Sequence, residues 1–209
     1  MIAVQDIIDR VGIALNDEDN IRWTVEELLL WINDGASEIV IRRPPATAEH
    51  LYIALTSGTL QAVPSNARML LDIVRGQDGY PISQVDRMQL DTQSPGWHIE
   101  PETDVIQHFT YDVRKPDSFY VYPPAIAGTT VEALLSMSPI VVTAATDIIE
   151  IDGQYLVPLT NYVLWRAMAK ESEYGNVNLA VSYFQSFTDS IGSNNQMTIA
   201  VSPDEATPK

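Results

Sequence analysis

Cysteine is absent from the 209 residues, which excludes a disulfide framework and any thiolate metal site and fits a reducing compartment. Cations are scarce: 12 lysines and arginines stand against 28 aspartates and glutamates, a net charge of −16. Tight binding of a phosphate backbone needs clustered basic side chains, and only Arg42-Arg43 and Arg114-Lys115 are adjacent along the chain. That scarcity argues against a nucleic-acid grip and for a surface that repels polyanions. Long apolar runs are missing as well. Stretches such as Leu28 to Ile32 fall far short of the roughly 20 residues that span a bilayer, so no membrane partner is expected. Asp6 and Asp9 break the charged-then-apolar layout of a signal peptide. No G-x-S-x-G, G-x-x-x-x-G-K-[ST] or G-x-G-x-x-G occurs, so the sequence offers neither a nucleophile elbow nor a phosphate cradle, and no cofactor is expected.

What is present is periodicity. Val4, Ile7, Ile8, Val11 and Leu15 repeat at helical spacing over 3–15 and stop at the polar run "NDEDN". Thr24-x-x-Glu27 reads as a capping box that opens a second helix, worth about 1 kcal/mol; Pro44-Pro45 end it near Arg42. From 46 to 157 the punctuation changes to short β-prone runs separated by Gly and Pro turns. Within them, "DSFYVYPPAIAGTTVEALLSM" reads as a half-buried hairpin: Phe119 and Val121 alternate with Tyr120 and Tyr122, and Val131, Ala133, Leu135 and Met137 with Thr130, Glu132, Leu134 and Ser136. Its turn, Pro123, Pro124, Ala125, Ile126 and Ala127, projects apolar side chains with nothing local to bury against and is a candidate subunit or tail contact.

Helical period returns over 158–192, broken at Gly175 and closed at Gly192. The last residues, 193–209, are too polar to pack alone, yet hold "MTIAV", in which Met197, Ile199 and Val201 would share one face of an extended arm. The expected fold is therefore α+β: a four-helix bundle formed by the N-terminal pair (1–45) and the C-terminal pair (158–192), an inserted antiparallel sheet or barrel (46–157), and an extended C-terminal arm (193–209).

Candidate chemistry is thin. His98, Glu100, Glu102 and His108 are the one set with the look of a metal site, and the rival reading they support is a metal-dependent hydrolase or nuclease. Thr110 and Asp112 continue the same alternation, as on a solvated strand face, so no metal site is assigned. Glu171 and Glu173 are two apart on a helix and do not face each other. Arg166 sits among apolar residues and calls for an ion pair, while Trp23, Trp31 and Trp165 read as core.

Five segments in order, "IRWTVEELLLWINDGASEIVIRRP", "LTSGTLQAVPSNARMLLDIVR", "LDTQSPGW", "DSFYVYPPAIAGTTVEALLSMSP" and "YLVPLTNYVLWRAMAKESEYGNVNLAVSYFQSF", together resemble the head-to-tail adaptors of tailed bacteriophages, of the tail tubular protein A type. The resemblance covers nearly the whole chain. It implies a non-enzymatic structural virion protein of the neck, assembled in the host cytoplasm. Its members form a homo-oligomeric ring, typically dodecameric, between the portal protein and the tail nozzle, with genomic DNA passing through the channel without specific binding. It also implies that the arm bearing Met197, Ile199 and Val201 holds the portal. A tail terminator or nozzle subunit is the alternative within the virion.

Overall fold

The computed structural model describes residues 1–170 and 175–201, with side chains as far as Gly192. Its elements in chain order are β1 (Ile2–Ala3), α1 (Val4–Leu15), α2 (Val25–Arg42), β2 (Ala48–Ala54), β3 (Gly58–Ala62), β4 (Ala67–Gly76), β5 (Ser83–Gln84), α3 (Arg87–Gln93), β6 (His108–Tyr111), β7 (Ser118–Ala125), β8 (Thr130–Met137), β9 (Ile148–Ile149), α4 (Leu156–Ala169) and α5 (Val177–Val201). The chain divides into two compact units, Thr47–Ser138 and the two flanking segments Met1–Ala46 and Pro139–Lys209.

In the flanking unit the helices start where local chemistry puts them. Thr24 caps α2, its hydroxyl accepting the Glu27 amide at 3.4 Å. The reciprocal half of the capping box does not form, because the Glu27 carboxylate instead accepts from Lys170 Nζ at 2.7 and 2.9 Å, a charge-assisted bond that outbids an amide. Asn16 ends α1 in the left-handed region (φ 51°) and donates its N–H to the carbonyls of Gly12 and Ile13, a conformation asparagine tolerates. The apolar stripes of α1, α2, α4 and α5 meet in one core that holds Trp23 and Trp31, with Trp165 packed against it. Gly35 sets the approach of α2 to α4: a Cβ there would stand 2.6 Å from Leu159 Cδ1 and 2.7 Å from Tyr162 Cδ1.

The expected four-helix bundle with an inserted module and an extended arm is corrected by this structure. The described residues form five helices and nine strands in three sheets, an α+β arrangement rich in sheet. Helices alone do not close the core of the flanking unit. β1 pairs antiparallel with β9, and Val142, Ile149, Ile151 and Tyr155, from the stretch that turn punctuation assigns to the β-rich module, fill it. Asn33 of α2 fixes that stretch by donating to the Val142 carbonyl and accepting its N–H, both at 2.9 Å. The extended arm is also overturned as far as Val201, for α5 runs unbroken through Gly192. A glycine costs a helix only about 1 kcal/mol, and Gly192 takes no left-handed φ that would terminate it.

The β unit contains a three-stranded sheet, β2-β8-β4, and a four-stranded sheet, β3-β7-β6-β5. The hairpin expected at 119–137 does not exist as a pair. β7 lies between β3 and β6, and β8 lies between β2 and β4. The alternation holds on faces as far as Leu135: Phe119, Val121, Val131, Ala133 and Leu135 all enter one apolar core shared by both sheets, but at the end of β8 Ser136 is fully buried and Met137, expected inside, is only half-buried. Period two sets which side a residue faces and says nothing of which strand lies beside it.

Candidate interaction surfaces

The set His98, Glu100, Glu102 and His108 is dispersed. His98 lies in a 3-10 turn (Trp97–Ile99), stacked on the Trp97 ring at 3.7 Å with its Nδ1 2.8 Å from the Thr59 hydroxyl. His108 opens β6 and stacks on Tyr122, and Glu102 accepts from the Ser57 hydroxyl. No strand carries His98, so the expected alternation onto one face fails at its first member. Among the described residues no three His, Asp or Glu side chains gather as ligands for a cation. Glu171 and Glu173 lie outside the described residues. Arg166 finds Asp34 at 3.4 Å and lies over the Trp165 ring, the ion pair its apolar surroundings require.

Of the candidate contact loop, Pro123 is half-buried and Pro124 and Ala125 are buried, while Ile126 and Ala127 are exposed. The turn is shorter than its sequence suggests because β7 continues through Ala125. Ile126 remains 45% exposed on a tip held by main-chain bonds, Ile126 N–H to the Thr103 carbonyl at 3.0 Å and Gly128 N–H to Leu55 at 2.9 Å. The side chains of Met197, Ile199 and Val201 lie outside those described.

The outer face of the four-stranded sheet carries an open groove of about 1150 Å³. Leu60, Tyr120 and Thr110 form one row across β3, β7 and β6. Around this row stand Met88 and Val113, the cations Arg87, Arg114 and Lys115 and the carboxylates Asp86, Asp112 and Asp117; Arg87 pairs with Asp91 of its own helix at 3.7 Å. Arg114 donates to Asp112 at 2.7 Å and Lys115 to Asp117 at 3.2 Å. The Arg114 guanidinium, and then its backbone N–H, hold the Asp112 carboxyl down at about 2. On the outer face of the other sheet, Glu132 of β8 takes Arg75 of β4 and Tyr52 of β2, a row of direct cross-strand neighbours. Arg75, Arg114 and Lys115 are thus each held by a carboxylate on their own sheet face.

α5 has a different character. From Val177 to Val201 it carries one charged residue, Asp189. Ala180, Phe187 and Ile191 are buried. At 3.6 residues per turn two flanks lie on either side of that buried stripe, roughly 170° apart. One bears Val177, Val181 and Phe184, all exposed. The other bears Ser182, Ser186 and Ser190, whose hydroxyls donate back to the carbonyls of Asn178, Ser182 and Ser186 at 3.1, 2.9 and 2.7 Å.

The family model described as SU10 adaptor protein matches residues 2–206, nearly the entire chain, and the chain belongs to that family of phage head-to-tail adaptors. Comparison with curated proteins finds no match.

Proposed function

We propose, from membership of the adaptor family, that this structural phage protein forms a homo-oligomeric ring, dodecameric in the typical case, seated between portal and tail nozzle, through which the genome passes. The family match over residues 2–206 carries the reading. The charge balance of −16 supports it, because an acidic lumen lets a polyanion slide without adhering. So do Arg75, Arg114, Lys115, Arg166 and Lys170, each of which stands in an ion pair. In this reading the protein catalyses nothing, takes no cofactor and holds the portal through residues 193–209. Mixing purified protein with portal particles should give rings at the portal vertex in negative stain, and deleting 193–209 should leave a folded chain that no longer co-sediments with portal. A truncated chain that binds portal with unchanged affinity moves the docking surface elsewhere. Failure of the intact chain to bind portal at all removes the adaptor position.

A further inference from the structure

We propose that α5 is the seam between copies: the Val177-Val181-Phe184 flank of one chain packs on the Ser182-Ser186-Ser190 flank of α5 in a second copy. The inference rests on the ring reading above and names the surface that closes it. Val177 is 75% and Val181 64% exposed, and with Phe184 they form an apolar stripe at i, i+4 and i+7, in which Phe184 meets the Trp165 ring at 4.8 Å and the Phe187 ring at 6.3 Å. Those rings brace Phe184, so the stripe presents a fixed aromatic anchor flanked by two valines.

Charge points to a second copy as the occupant. Two chains of net −16 repel each other, and a contact between them must run through surface that adds no like charges. The other long helices do not offer it: α1 bears Asp6 and Asp9, α2 bears Glu26, Glu27, Asp34 and Glu38, and α4, which has no carboxylate, is buried at seven of its 14 positions and leaves no free apolar face. On α5 the single carboxylate, Asp189, falls on the outward side between the two flanks. Size agrees as well. Serines leave a shallow trough, and because their hydroxyls are satisfied by their own helix, a valine or phenylalanine laid over them strands no donor. The flanks differ and lie on opposite sides of the helix, so the contact is heterologous, the type that yields a closed ring or an open helix of copies and not an isolated two-fold dimer.

Mass photometry of Val181→Glu, Ser186→Leu and their equimolar mixture tests this, with thermal unfolding as a control on the fold. Both positions are exposed, so each variant should melt like the parent. Each alone should remain monomeric where the parent forms rings. The mixture should give dimers and nothing larger, since it retains one intact flank of each kind. A second measurement uses the cysteine-free background: Val181→Cys with Ser186→Cys, treated with a short bismaleimide, should give a ladder of cross-linked multimers. Rings that form equally well from both variants, or rings of the double-cysteine chain that give no ladder, overturn the seam and leave the ring reading standing. A parent chain that stays monomeric both alone and with portal overturns the ring reading, and the seam with it.

Discussion

Asp17 is only 8% exposed, yet it is a carboxylate by virtue of three backbone donors. Burial opposes its charge, but the N–H groups of Trp23, Arg22 and Ile21, at 3.1, 2.9 and 3.0 Å, outweigh that and hold the carboxyl below its ordinary value. Replacing it by Asn weakens charge-assisted acceptors, and Asp17→Asn should cost about 1–3 kcal/mol at neutral pH. A carboxyl depressed in the folded state stabilises above its unfolded pKa, and that contribution is lost as pH falls through the folded value. The urea midpoints of parent and variant should therefore converge below about pH 4; a gap independent of pH would assign Asp17 a purely steric role. The tip of the β unit offers a second contrast between neighbours. Ala125 is fully buried and Ile126 is 45% exposed, so Ala125→Asp should lower the melting temperature sharply, while Ile126→Asp should leave it nearly unchanged and, if the tip is a contact, weaken assembly. A large loss of monomer stability in Ile126→Asp would place that side chain in the core.

At the scale of elements, α1 and the start of α2 were legible because an apolar stripe and a Thr cap are local signals, complete within a few turns. Strand partners were not. The alternation at 119–137 is the same for a hairpin and for two strands in facing sheets, and only long-range pairing with β2, β3, β4 and β6 decides between them. Trp97 was missed for a related reason. It stands in a loop excursion with no periodic neighbours, yet it is fully buried, edge-on to Tyr120 and Tyr122, with Nε1 donating to Asp91 at 2.9 Å. The pattern Asp91 followed six residues later by Trp97 is too loose to have shown it. Trp97 is a structural anchor for the 3-10 turn that holds His98, and Trp97→Ala should destabilise the β unit by about 3–5 kcal/mol. Loss of the near-ultraviolet signal of the packed indole together with an unchanged unfolding midpoint would contradict that assignment. The candidate contact surfaces were only partly legible: burial of Pro124 and Ala125 depends on β7 running three residues further than the Pro-Pro pair suggests, and the helical period of α5 does not by itself separate the buried Ala180, Phe187 and Ile191 from the exposed Val177, Val181 and Phe184.

For the whole molecule, charge is the property that sequence reports most directly, and the structure adds where it is spent. The groove on the four-stranded sheet balances three cations with three carboxylates, and the row at Glu132 neutralises Arg75. Duplex DNA should accordingly not be retained in a gel shift even at low salt, about 50 mM, where nonspecific binding is strongest. Retention with a steep salt dependence would reveal a basic track and count against passive passage of the genome.

The flanking unit is assembled from two segments separated by the entire β unit, and this sets an order of events during synthesis. α2 ends at Arg42 and its partner α4 begins at Leu156, so roughly 5–20 s of translation separates them at about 5–20 residues per second. Through that interval the apolar faces of α1 and α2 wait on the ribosome without their partners, while the β unit, whose strands are contiguous in the chain, has all it needs to fold. α5 emerges later still. If α5 is the seam between copies, a nascent chain cannot engage a neighbour until the rest of its own fold has been made, and premature assembly is prevented by the order in which the gene is read.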